Sequence, residues 1–376
     1  MKKIILNCLL ICLILIFISC SNTSEPTNSD VSLDEKIGQM LMIGFRGLEV
    51  DTNSQIVKDL MNQLIGGVVL FDRDVALGSN IRNIQSPNQV SNLIQSLNKY
   101  SKQQIFVAVD QEGGKVNRLK MQYGFPYHVS QQYLGNLDNA DSTAFYGNQT
   151  GKTLYNLGFN VNFAPVVDVN INPESPAIGK IERSFSANPD LVIKHSNILI
   201  DNLHQNNVLA TLKHFPGHGS AGNDSHTGFT DVTNTWQESE LIPYRELIKQ
   251  NKADFVMTAH IFNSKLDPDY PATLSKKIID GILRKNLQFD GVVISDDMNM
   301  KAITEYYGLE SAIELSINAG VDILIFANNL IYDELIAQKA IDIVKEKIKS
   351  GKISINRINE SYNRIIKLKK KLSPII

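Results

Sequence analysis

Three of the seven histidines fall between Lys213 and His226, in Lys213-His214-Phe215-Pro216-Gly217-His218-Gly219 and, after four residues, Asp224-Ser225-His226. Asp224 and His226 are two apart, so in extended chain both side chains project to the same side. A carboxylate beside an imidazole fixes its orientation and stabilises its protonated form, which suits a general acid/base working near neutral pH. Two blander readings stand beside this one. His214, His218 and His226 are a zinc-ligand set, although no distant Cys or HExxH partner completes it, or they hydrogen-bond within the loop, as His218 alone does readily. The expectation is no metal and no cofactor.

A second string, Gly291-Val292-Val293-Ile294-Ser295-Asp296-Asp297-Met298-Asn299-Met300, runs apolar chain up to a carboxylate. Asp296 at such a position can attack an anomeric carbon and form a covalent glycosyl–enzyme; Asp297 is expected to cap the helix that follows. A third string, Val109-Asp110-Gln111-Glu112-Gly113-Gly114, is followed by Arg118. Asp110 can take two sugar hydroxyls through its two oxygens. Gly113-Gly114 lets a ligand or a second loop approach the backbone closely.

These residues need a scaffold that gathers them. Near-continuous apolar runs at Met40–Phe45, Gly67–Phe71, Ile105–Asp110, Phe159–Ala164, Val208–Lys213, Phe255–His260, Gly291–Asp296 and Ile323–Ala327 have the pattern of parallel strands buried on both faces. Helical patterns separate them, at Gln55–Leu64, Gln89–Tyr100, Thr143–Leu157, Leu191–Gln205, Glu238–Gln250, Lys276–Lys285, Leu309–Ala319 and Ile331–Lys349. This predicts an α/β chain folded as a single (β/α)8 TIM barrel over residues 33–376, with an extra amphipathic C-terminal helix within Ser354–Lys371. An open doubly wound sheet is the rival, and it needs an early Gly-rich phosphate turn that the sequence lacks. In a barrel, Asp110, Asp168, Lys213-His214, His260 and Asp296 stand at or just beyond strand ends and converge on the C-terminal mouth. Each alone reads equally well as a helix cap; five together do not.

The N-terminus differs from the rest. Lys2 and Lys3 precede an apolar Ile4–Ile18 and then Ser19-Cys20, the form of a signal peptide over 1–19 that is too short to span a bilayer comfortably. Phe17-Ile18-Ser19-Cys20 resembles a bacterial lipobox, which makes Cys20 a lipidation site and residues 20–32 a polar tether. The protein is then an extracytoplasmic lipoprotein attached to a bacterial membrane, periplasmic or at the cell surface. No cysteine follows Cys20, which excludes disulfides and cysteine catalysis in the mature domain. A net charge of −2, with no basic cluster beyond Lys367–Lys371 in a predicted helix end, leaves no footprint for nucleic acid. Trp236 is a surface aromatic for sugar stacking or a core residue.

Over residues 33–370 the three strings together resemble the β-N-acetylglucosaminidase (β-N-acetylhexosaminidase) branch of glycoside hydrolase family three. The Lys213–Gly219 string with Asp224-Ser225-His226 is the most specific of them. Carried over position by position, the resemblance implies Asp296 as nucleophile, His226 as acid/base and Asp224 as its dyad partner. It also implies sugar contacts from Asp110, Arg118, Arg183, Lys213 and His214. The chain departs from the family in one place: Ile178-Gly179 and Arg183-Ser184-Phe185 are separated by Lys180-Ile181-Glu182, two residues more than usual. The loop holding Arg183 is therefore expected to be reshaped. The resemblance implies a retaining exo-β-N-acetylglucosaminidase acting on peptidoglycan or chitin-like fragments. The competing readings are a β-glucosidase or β-xylosidase, a phosphorylase of the same family, and a non-catalytic sugar-binding lipoprotein.

Overall fold

The computed structural model describes residues 31–224 and 228–372. The signal segment, Cys20 and most of the tether lie outside the described residues, as does His226. The eight apolar runs form eight parallel strands: β1 Leu41–Gly44, β2 Gly67–Val69, β3 Phe106–Val109, β4 Val161–Asn162, β5 Leu209–Phe215, β6 Phe255–Thr258, β7 Val292–Asp297 and β8 Ile323–Phe326. They close in chain order, with β8 pairing β1 through Leu324 opposite Leu41, so the fold is the expected (β/α)8 barrel. Closure explains why the runs are apolar throughout. Each strand packs side chains into the barrel on one face and under a helix on the other, and Leu41, Met42, Val68, Phe106, Val107, Val293 and Leu324 are all fully buried.

Helices at Gln55–Met61, Pro87–Tyr100, Ala140–Leu157, Pro189–Gln205, Ile242–Lys249, Lys277–Asn286, Lys301–Ala319 and Ile336–Lys349 follow the strands in turn. The one at Lys277–Asn286 is wound wider than an α-helix, ending with Leu287 N–H on Ile282 O five residues back (2.9 Å). Lys301–Ala319 breaks at Gly308 (φ 69°, ψ 164°), so its first two turns are set apart from the rest. Two further helices, Leu33–Gln39 and Ile355–Lys369, pack at the opposite end from the mouth. No described helix is long and apolar enough to cross a membrane.

That lower end is sealed by polar groups. Phe106 and Phe255 meet edge to face (5.2 Å), and Lys369 Nζ lies over the Phe106 ring, bonded to Gln39 Oε1 (2.6 Å) and Gly66 O (2.8 Å). Asp322, at the foot of β8, is fully buried and draws in Arg284 (2.6 Å), Arg357 (2.8 Å), Arg364 (3.2 Å) and Ser361 (2.8 Å). A buried carboxylate with these partners is stable, and it staples the C-terminal helix to the barrel.

Candidate active site

The C-terminal ends of the strands surround a cavity of about 470 Å³, in the range of small-ligand pockets. Its wall includes Asp110, Arg118, Arg183, Lys213, His214, Asp224 and Asp296, with Met257, Phe163, Val75 and Leu330 supplying apolar surface. Seven of the eight catalytic and sugar-contact candidates thus share one cavity; the eighth, His226, lies outside the described residues.

Its charged groups are bound to one another. Lys213 Nζ reaches Asp110 Oδ1 (2.8 Å) and Glu112 Oε1 (2.6 Å). Arg183 grips Glu112 with both arms, Nε to Oε2 at 2.8 Å and Nη2 to Oε1 at 2.7 Å. Arg118 Nη2 lies 3.4 Å from Asp110 Oδ2, and its Nη1 lies 3.7 Å from Asp72, which Lys120 also reaches at 2.5 Å. Burial alone pushes the Asp110 carboxyl up, but Lys213 and Arg118 outweigh it and hold the group well below the usual carboxylate range. Glu112 behaves alike: burial opposes, Arg183 and Lys213 prevail, and its carboxyl is held low. Burial disfavours the Arg183 cation, yet Glu112 more than compensates and holds it firmly protonated.

A second set of bonds fixes the root of the histidine loop. Asp168 accepts from His214 N–H (3.1 Å), His218 N–H (2.8 Å) and, through Oδ2, from His214 Nδ1 (2.7 Å). His214 Nε2 is 3.0 Å from Arg183 Nη2. A guanidinium only donates, so Nε2 carries the lone pair and Nδ1 the proton. Burial, then the nearby Arg183 and Lys213 charges, push the His214 imidazole well below its ordinary value, against an opposing pull from Asp296. His214 is a neutral, oriented ring that aims Arg183. Below it, Glu240 Oε2 accepts from Gly219 N–H (2.9 Å), and burial pushes that carboxyl up to about 7. The Lys213-His214 and Phe215-Pro216 peptides are cis.

Several local expectations are settled by these contacts. The longer loop before Arg183 is absorbed in a tight turn, with Glu182 N–H on Gly179 O (3.0 Å), Arg183 N–H on Ile178 O (3.1 Å) and Glu182 at φ 61°, and Arg183 still points into the cavity. Gly113 and Gly114 admit a second loop: both have positive φ, and a Cβ at Gly113 would lie 2.1 Å from Val129 O. Asp297 is not a helix cap. Its Oδ1 accepts from Asn299 N–H (3.1 Å) and Ala327 N–H (2.9 Å), tying β7 to β8, while Met300 occupies the cap of the next helix. His260 does not reach the cavity either, being buried between Thr273 Oγ1 (2.8 Å) and Asp297 O (3.0 Å). Trp236 is half-buried against the core, with its indole N–H on Pro216 O (3.1 Å). Among the described residues no group of three or more His, Cys, Asp or Glu side chains is placed to hold a metal ion. Sequence reasoning missed Glu112 as the hub of the ion cluster and Asp72 as its outer member. The Glu112 to Gly114 string was the available signal for the first.

Comparison with known proteins gives a consistent picture. The family model described as "Glycosyl hydrolase family 3 N terminal domain" matches residues 32–368. A "Beta-hexosaminidase A" of Pseudoalteromonas piscicida is 31% identical over 93% of this chain, and the chain spans 63% of that relative's length. A "Beta-hexosaminidase" of Haemophilus influenzae (strain ATCC 51907 / DSM 11121 / KW20 / Rd) is 34% identical over 77% of this chain and 79% of its own. Among solved structures, a glycoside hydrolase family 3 beta-N-acetylglucosaminidase from Paenibacillus sp. str. FPU-7 superposes with TM-score 0.82 at 33% identity, covering 91% of this chain and 62% of that one. A beta-N-acetylhexosaminidase from Beutenbergia cavernae DSM 12333 gives 0.81 at 26% identity, covering 91% and 100%.

Proposed function

Because the chain belongs to glycosyl hydrolase family 3, and similar proteins carry beta-hexosaminidase names, we propose that it is a retaining exo-β-N-acetylglucosaminidase. It removes terminal β-linked N-acetylglucosamine from peptidoglycan or chitin-like fragments. The observation that carries this reading is the cavity itself. One pocket at the barrel mouth is lined by the bonded ion cluster and by three further carboxylates, Asp224, Asp296 and Asp297.

In this reading Asp110 accepts hydrogen bonds from sugar hydroxyls, while Arg118 and Lys213 donate to them. Asp296 attacks the anomeric carbon as the glycosidic bond breaks, forming a glycosyl ester. His226, held by Asp224, gives its proton to the leaving oxygen. The neutral imidazole then takes a proton from the water that opens the ester, with net retention. A histidine acid/base becomes uncharged after the first step, so no second anion faces the developing ester. Cys20, lipidated after removal of residues 1–19, attaches the enzyme to a bacterial membrane on the extracytoplasmic side, in the periplasm or at the cell surface.

Hydrolysis of an aryl N-acetyl-β-glucosaminide, with the product anomer followed by NMR, tests the reading. Wild type releases the β-anomer first, and Asp296→Ala loses at least about 10⁴-fold in kcat. Full activity of that variant would overturn the nucleophile assignment, and sugar 1-phosphate formed when phosphate is added would mark a phosphorylase instead.

A further inference from the structure

Three aromatic rings stand together on the chain segments that follow β5, β6 and β7. Phe229 lies 5.3 Å from Phe262, tilted by 39°, and 5.5 Å from Tyr306, tilted by 49°. None is core: Tyr306 is 59% exposed, Phe229 is 39% exposed and Phe262 is half-buried. Their backbones are held. Thr230–Asp231 pairs with Ile261–Phe262 in a short parallel ladder, and Val232 N–H donates to Phe262 O (2.8 Å). Tyr306 sits on the short helical segment ahead of the break at Gly308.

The chain segments that carry Phe229 and Tyr306 are continuous with residues of the cavity wall. Asp224, on its wall, precedes Phe229 in the β5 loop, and Asp296, also on its wall, precedes Tyr306 beyond β7. The cluster is therefore at the barrel mouth but outside the pocket that takes the terminal sugar, since none of the three rings lines it. Clustered apolar rings kept in water beside a binding site mark a contact surface. Ring faces with a phenolic hydroxyl at one edge suit a pyranose, which offers an apolar C–H face and polar rim.

Resting on the glycosidase reading, we propose that Phe229, Phe262 and Tyr306 form a platform for the second sugar ring, so that this protein favours saccharide chains over glycosides that lack a second sugar ring. The test compares chitotriose with N-acetyl-β-glucosaminyl fluoride, which has no aglycone ring, on the full chain. Tyr306→Ala is expected to lower kcat/KM for chitotriose about five- to tenfold, through KM. The fluoride should change less than about twofold, and Tyr306→Phe should keep most of the effect of the native ring. Phe229→Leu, with unfolding monitored alongside, should discriminate in the same direction. An equal fall on both substrates makes the cluster a brace for its loops and overturns the platform, as does no change on either. A wild type inert on both substrates sinks the glycosidase reading itself, whereas an active wild type with indiscriminate variants sinks only the platform.

Discussion

Replacing Glu112 by Gln keeps the shape of the side chain and removes its charge. The Glu112 and Lys213 side chains are each 1% exposed, and Arg183 is 10% exposed, so water cannot supply the missing counter-charge. Removing one partner of a buried ion pair costs about 3–5 kcal/mol. At about 2.1 cal/mol/K per residue, the unit Leu33–Ile376 unfolds with an entropy of roughly 0.7 kcal/mol/K, so Tm should fall by about 4–7 °C. The carboxyl is held below its ordinary 4.5 by Arg183 and Lys213 against the opposing effect of burial. Its contribution is therefore complete above that value and is lost as pH falls through the lower, folded one. Calorimetry of wild type and Glu112→Gln at pH 7, and again in steps below about 4.5, should show a gap that narrows on acidification. Activity should fall as well, because Lys213 and Arg183 lose the group that aims them. A variant Tm within about 1 °C of wild type at pH 7, or a gap indifferent to acid, refutes the reasoning.

Three further outcomes follow from contacts described above. Burial raises Glu240 from 4.5 to about 7, so the folded state holds a proton the unfolded chain has released, and stability drains as pH climbs across that interval; Glu240→Gln should gain on wild type from pH 5 to pH 8 in thermal melts, and a constant difference would contradict this. Lys369 is pushed down to about 7 by burial, so wild type should gain on Lys369→Met between pH 7 and pH 10, the range in which only the unfolded chain must give up a proton. A Cβ at Gly219 would sit 1.8 Å from Val169 O, whereas one at Gly222 meets nothing within 4 Å; Gly219→Ala should cost at least about 2 kcal/mol and most activity, with Gly222→Ala near wild type, and equal behaviour of the two would sink the argument.

The strands were legible because a closed parallel barrel buries both faces of every one, and that leaves continuous apolar runs in the sequence. Site residues at strand ends were legible for the same reason, as Asp110, Lys213 and Asp296 each terminate such a run. What stayed hidden is contact between residues far apart in the chain. Glu112 meets Arg183 across 71 positions and Lys369 meets Gln39 across 330, and no local spacing encodes either pair. Asp297 was misread because a carboxylate after a strand looks the same whether it caps a helix or, as here, bonds the neighbouring strand at Ala327. His260 was misread because, two residues beyond the strand end at Thr258, its ring is buried against Thr273 rather than in the cavity.

The locked tautomer of His214 changes how kinetic titrations of this protein are to be interpreted. With one nitrogen committed to Asp168 and the other to a permanent cation, that ring cannot gain a proton without breaking its contact to Arg183. Any near-neutral inflection in a rate profile therefore belongs to a different ionisation, and the most conspicuous imidazole of the cavity is spectator to it.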